Sequence, residues 1–158
     1  MMSSSYLDFV RLIAAGDVDR VRQHLTRFPA LAAISSETGA TRRESSPFFL
    51  ADIAHYSYAG DTPLHIAAAA FRREIAELLV AHGADCRARN RRGAEPLHYA
   101  ADANRSDPAA QAETIAYLIA AGADPNAVDG SNVSPLHRAV RTRSVAAVLA
   151  LVNGGADV

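Results

Sequence analysis

The sequence predicts an all-α solenoid of stacked helix-turn-helix units joined by short loops of fixed length, and three observations predict it. A phrase ending in Pro-Leu-His occurs three times, as Thr62-Pro63-Leu64-His65, Glu95-Pro96-Leu97-His98 and Ser134-Pro135-Leu136-His137. Each is answered by Gly-Ala-Asp, at Gly83-Ala84-Asp85, Gly122-Ala123-Asp124 and Gly155-Ala156-Asp157. The step from triplet to next phrase is constant, 11 residues from Asp85 to Pro96 and again from Asp124 to Pro135, which fixes the linking loop. From proline to glycine the distances are 20, 26 and 20 residues, so the second unit carries six extra. Repetition at a fixed period of this size marks a solenoid, in which no unit buries its own apolar face unaided.

Residues 6–31 open the chain as a degenerate capping unit. Tyr6 to Ala15 carries Phe9, Leu12 and Ile13, Val18 to Arg27 carries Val21 and Leu25, and Gly16-Asp17 marks the turn. Asp8 and Arg11 interrupt the apolar start, which reads as a helix and not a signal peptide. Residues 32–59 are an insertion, with a polar loop from Ser35 to Ser45 followed by Ser46-Pro47-Phe48-Phe49-Leu50-Ala51-Asp52-Ile53-Ala54-His55. The serine cap, first-turn proline and apolar residues of that second half predict a short helix, emerging on the finger side.

The unit 60–92 shows the logic of the repeat. Thr62 caps a helix, and Pro63 occupies the first helical position, where a missing N–H costs nothing. Leu64, Ala67 and Ala68 recur at helical spacing. Glu74 to Ala81 makes the second helix, with Ile75, Leu78 and Leu79 facing inward and Gly83 ending it in a left-handed conformation. Helices this short do not persist alone in water, so their stability must come from stacking. The unit 93–129 repeats the pattern with Leu97, Ala100 and Ala101, then Ile115, Leu118 and Ile119. Its six-residue excess falls between Asp102 and Glu113, where Asn104, Ser106, Asp107 and Pro108 spell a loop and a fresh helix start. The unit 130–158 has Asn132 where the others have Gly60 and Gly93, as suits a positive φ. Its helices hold Leu136, Ala139 and Val140, then Val145, Val148, Leu149 and Val152. A terminal unit needs a polar outer face, so this apolar last helix points to truncation, or else to a face covered by a partner or a second copy.

The Thr-Pro-Leu-His phrase and the 33-residue step from Pro63 to Pro96 resemble the ankyrin repeat, closely over 60–158 and loosely over 6–31. The resemblance implies stacked helix pairs whose concave face, made of finger loops and first helices, binds another protein without catalysis. It also implies that His65, His98 and His137 tie each helix start to a neighbouring loop, and that Cys86 is a buried residue where valine is usual. Glu95 in place of threonine, Phe71 and Arg143 in place of an interhelix glycine, and Arg138 in place of leucine depart from the pattern.

A net charge of −1 and a pI near 6.6 give no overall field to attract nucleic acid or an anionic membrane. No run reaches the ~18–20 apolar residues that span a bilayer. A single cysteine forms neither an internal disulfide nor a thiolate metal site and fits a reducing, cytoplasmic compartment. All 16 basic residues are arginine, which with the abundant alanine suggests a GC-rich, bacterial genome. Nucleophile elbow, phosphate loop and metal-ligand spacing are all missing, so no catalytic residue, cofactor or metal is assigned.

Charge is concentrated locally instead. Arg87, Arg89, Arg91 and Arg92 fall in the loop between the first two full units, and Arg138 and Arg141 in the first helix of the third. With Tyr58, Asp61, Asp102 and Ser131 they are the candidate partner-binding residues of the concave face that the resemblance implies. Ala69, Ala70, Val128, Val133 and Thr142 complete that face. Guanidinium forks match carboxylates, so the expected partner is a protein with an acidic surface; the aromatic interleaving of a single-strand nucleic-acid reader is missing. A competing reading is a small enzyme or ligand sensor with a pocket built on the 32–59 insertion, where His55 and Tyr56 or Tyr58 meet His65. A third makes the chain a segment of a larger regulatory or secreted protein.

Overall fold

The computed structural model describes residues 2–102, 104 and 106–158, with side chains described from residue 5 onward. Among these residues eight α-helices form four pairs: α1 (Met2–Ala15) with α2 (Val18–Arg27), α3 (Pro63–Ala69) with α4 (Arg73–Ala81), α5 (Pro96–Ala100) with α6 (Pro108–Ala120), and α7 (Pro135–Arg141) with α8 (Val145–Asn153). First helices stack in one layer, α1 on α3 on α5 on α7, and second helices in another, α2 on α4 on α6 on α8. The core lies between the layers. Leu25, Leu64, Leu79, Leu97, Ile115, Leu118 and Leu151 are fully buried in it.

The Pro-Leu-His phrase works at two levels. Thr62 Oγ1 and Ser134 Oγ accept the N–H groups of His65 and His137, satisfying donors that a helix start leaves free. His65 Nδ1 accepts the Thr62 N–H at 3.0 Å, so the ring proton sits on Nε2, which donates to the Ala94 carbonyl of the next unit at 2.9 Å. His98 Nε2 does the same to Val133 at 2.9 Å. His65 and His98 therefore each fix their own helix and the loop that follows, while the bonds of His137 are to Ser134 at its own helix start. Gly83, Gly122 and Gly155 close the second helices with φ between +102° and +115°. His82 Nδ1 adds a bond to the Leu78 carbonyl at 2.8 Å.

Packing corrects several positions. Ala69 and Ala70 are fully buried, because the alanine-rich first helices lie so close together that their last turns are covered. On α4 the inward residues are Ile75, Ala76 and Leu79, with Leu78 half-buried at the edge. Phe71 and Arg143 adopt the left-handed turn expected of glycine, at φ +55° and +59°; burial of the Phe71 ring offsets a backbone cost of about 1–2 kcal/mol. On α7 and α8, Ala139, Ala147 and Leu151 face inward while Val140, Val145, Leu149 and Val152 are exposed.

The second half of the insertion is not an α-helix. Two-residue strands β1 (Phe49–Leu50) and β2 (His55–Tyr56) pair antiparallel, with 3-10 turns at Ser46–Phe48 and Ala51–Ile53. Ala54, left-handed at φ +49°, turns the chain. Alternation decides the outcome: Leu50 points into the core and Phe49 outward, where its ring meets Tyr56 across the strands at 4.9 Å. Ile53 joins Leu50 inside, against α1. The extra residues of the second unit lengthen α6 to 13 residues, capped by Asp107 Oδ1 on the Ala110 N–H with Pro108 in the first turn. Of the loop expected there, Ala103 and Arg105 lie outside the described residues.

Candidate functional site

Adjacent finger loops are bonded backbone to backbone. The Arg91 N–H donates to the Ala59 carbonyl at 3.0 Å, and the Gly130 N–H to the Arg92 carbonyl at 2.8 Å. That approach requires glycine, since a Cβ on Gly60 would fall 2.7 Å from Arg91 N and one on Gly93 2.8 Å from Gly130 N, both at positive φ. One side chain braces each loop from within. Asn90 Oδ1 accepts the N–H groups of Arg92 and Ala94, both at 3.0 Å. In the next unit Asp129 Oδ1 accepts those of Ser131 and Val133 at 2.8 and 3.0 Å.

Asn90 differs from Asp129 in having donors left over. Its Nδ2 reaches Asp61 Oδ1 and the Tyr99 hydroxyl, each at 3.0 Å. Tyr99 O–H donates to Asp61 at 2.8 Å, and the Tyr58 N–H donates to the other carboxylate oxygen at 2.8 Å. Asp61 is 0 % exposed, so it holds three elements together and offers a partner nothing. Burial raises its pKa to about 7 against the pull of these donors.

The arginines separate into two groups. Arg87 pairs with Glu95 at 3.2 Å and Asp124 at 3.7 Å. Glu95, nearly buried, uses its carboxylate there, and His98 Nδ1 accepts its backbone N–H. Arg89 donates to the carbonyls of Gly93 and Val128 at 3.1 and 2.6 Å, clamping two fingers. Arg138 holds Asp102 at 3.0 Å and Asp129 at 3.2 Å, its side chain only 14 % exposed. Arg91, Arg92 and Arg141 are exposed, and none has an ion pair among the described residues. Arg92 lies over the Tyr58 ring, 4.7 Å from its centroid.

One cleft of about 780 Å³ gathers Arg89, Arg91, Arg92, Ser131, Arg138 and Arg141. Tyr58 and Asp102 line a smaller cavity beside it. Arg87 lies off the cleft, Val128 is exposed at 40 %, Val133 is half-buried, and the Thr142 hydroxyl is turned to the Arg138 carbonyl. Asn90 and Tyr99 are absent from the sequence-derived set. A signal for Asn90 existed, since it stands at the phase of Asp129 once the six extra residues are counted. A larger depression, about 1170 Å³, lies between α1, α2 and residues 28–34; its charged walls Asp8 and Arg20 already pair with Arg11 and Asp17, which leaves the arginine cleft as the candidate site. His55 packs on Tyr99 at 4.7 Å and His65 on the same ring at 5.2 Å, while Tyr56 turns toward Phe49.

Burial lowers His55 and His65 to about 4, and His98 in the same direction. Their contribution to stability is complete above the unfolded value of 6.5 and is lost as pH falls toward 4. Asp61 opposes them: from about 7 down to 3.8 the folded chain holds a proton that the unfolded chain has released, so acidification favours the fold. The histidines outweigh one carboxyl, and urea unfolding is expected to show a loss on the order of 2 kcal/mol between about pH 7.5 and pH 4. A gain over that interval would contradict the assignment.

Among the described residues no three His, Cys, Asp or Glu side chains gather to hold a metal, and no helix is long and apolar enough to cross a membrane. A family model described as ankyrin repeats in three copies matches residues 3–129, and one of ankyrin repeats in many copies matches residues 109–152. The E3 ubiquitin-protein ligase KEG of Arabidopsis thaliana is 38% identical over 97 residues, which are 61% of this chain and 6% of the ligase. The chain thus spans a small fraction of that relative's length.

Proposed function

The chain belongs to the ankyrin repeat family, whose members generally serve as protein–protein interaction modules, and from that premise we propose that it binds an acidic protein without catalysis, through the cleft between finger loops and first helices. One observation carries the reading: Arg91, Arg92 and Arg141, without ion pairs among the described residues, bring their charge to a single cleft that Arg89 and Arg138 hold in shape. Charge-assisted hydrogen bonds from guanidinium to carboxylate contribute roughly 1.5–3 kcal/mol each. The loops are ordered by Asn90, Asp129 and the inter-finger bonds before a partner arrives, so little ordering entropy is lost on binding. Buried, unpaired Cys86 fits a reducing, cytoplasmic setting. Ligase activity is a property of the relative and is not carried over.

Affinity capture from the native lysate, run in parallel with the wild-type chain and an Arg91→Glu/Arg92→Glu variant, tests the reading. The expected result is a specific partner lost from the variant, with a circular dichroism melt close to wild type. Arg89→Glu, by contrast, should lower the melt, because it removes the clamp on Val128 and Gly93. Equal capture of the same protein by both chains would contradict the proposal.

A further inference from the structure

Resting on the reading that a protein partner occupies the cleft, we propose that the small cavity at its edge is an anchor pocket for one carboxylate of that partner, an Asp or Glu side chain. The cavity is about 230 Å³, between the insertion and the first helices of the second and third full units, and Arg92, Arg138, Arg141, Tyr58, Tyr99 and His55 line it. Pockets for drug-sized ligands span roughly 300–1,000 Å³. This one holds a single functional group.

Charge selects the group. Arg92, Arg138 and Arg141 line the cavity with one carboxylate, Asp102, and Arg138 also holds Asp129, which lies outside the lining, so the cluster carries one positive charge in excess. Asp61 lies behind the Tyr99 hydroxyl, and below about pH 7 its buried carboxyl is protonated and leaves that excess in place. A monoanion balances the site, whereas a phosphate dianion would overcompensate it. Polar nitrogens are available as well: among the described residues Arg138 Nε and His55 Nδ1 are buried without hydrogen-bond partners, a condition native structures seldom leave unanswered, and His55 Nδ1 donates in the tautomer that carries its proton there. The Tyr56 backbone partly offsets the effect of burial on His55, but forms no hydrogen bond to Nδ1 of acceptable distance and angle. Arg92 and Arg141 stand alongside them with no ion pair among the described residues. The donors are also set in advance, Arg138 by its two carboxylates and Arg92 by the face of Tyr58.

The test titrates the nitrogen-15-labelled full chain with N-acetyl-glutamate amide and N-acetyl-aspartate amide, each bearing one carboxylate. N-acetyl-glutamine amide is the neutral control and inorganic phosphate the alternative anion. The expected result is saturable shifts of the Arg138 Nε–H and His55 ring signals with both carboxylate probes and none with the glutamine amide. Arg141→Gln and Arg92→Gln should each weaken binding about tenfold while leaving the melt unchanged. Phosphate saturating the same signals at lower concentration, or carboxylate-induced shifts spread evenly over the surface arginines, would overturn the assignment. With the captured partner, binding undiminished by Arg141→Gln but abolished by Arg91→Glu/Arg92→Glu overturns the pocket and leaves the concave face standing. Binding unaffected by either change overturns the reading of the face itself.

Discussion

Leu79→Ala is expected to destabilise the chain by about 2–5 kcal/mol, the range of a leucine truncated in a packed core. Leu79 is 0 % exposed on α4, which lies between α2 and α6. The cavity it leaves cannot collapse easily, because neighbouring helices on both sides are themselves held by their stacks. Domains are stable by only about 5–15 kcal/mol in total, so this one change removes a large part. Leu78→Ala, at the half-buried edge of the same helix, should cost clearly less. Urea titrations of the two variants measure the difference directly, and a larger loss for Leu78 would mean that the inward face of α4 is wrongly assigned.

Asn90→Ala carries the second large effect, on the order of 3 kcal/mol, since it removes four hydrogen bonds, three of them buried, and strands several of their partners. Two backbone N–H groups of the finger lose their acceptor, and Asp61 loses a donor while fully buried. Asn90→Asp separates these roles. The carboxylate can still brace the turn, as Asp129 does in the next unit, but it sets a second negative charge against Asp61. Its cost should therefore be larger near about pH 8 than near about pH 5, where one of the two carboxyls is protonated. A cost independent of pH, or either variant within a few tenths of a kcal/mol of wild type, would remove Asn90 from the centre of the site.

The parts of the molecule legible in the sequence are those set by local chemistry and repetition. Thr62-Pro63 and Asp107-Pro108 announce helix starts because capping is a matter of three or four residues. Gly83, Gly122 and Gly155 announce helix ends for the same reason, and Asn132 could be read as a left-handed residue from its phase with Gly60 and Gly93. What escaped is long-range. Asp61 looked like an exposed loop residue, yet Tyr99, 38 positions away, draws it inside. Arg89 looked like a free charge beside Arg91, but the Val128 carbonyl that it holds is 39 positions away. The 46–55 segment carried a good helix-start signal that lost to burial of Leu50 and Ile53 and to ring contact between Phe49 and Tyr56. In the arginine cleft, the loop and the helix that the repeat phase points to lie against one another. Only side-chain pairing could divide the arginines that build the cleft from those that face out of it.

The central claim is that neighbouring units complete one another's core, so that loss in one is felt in the next. Amide hydrogen exchange on Leu79→Ala beside wild type addresses it residue by residue. The expected result is lowered protection in α1–α2 and α5–α6 as well as in α3–α4, because each pair depends on the stack. Loss of protection confined to α4, with both flanking pairs exchanging as in wild type, would contradict it.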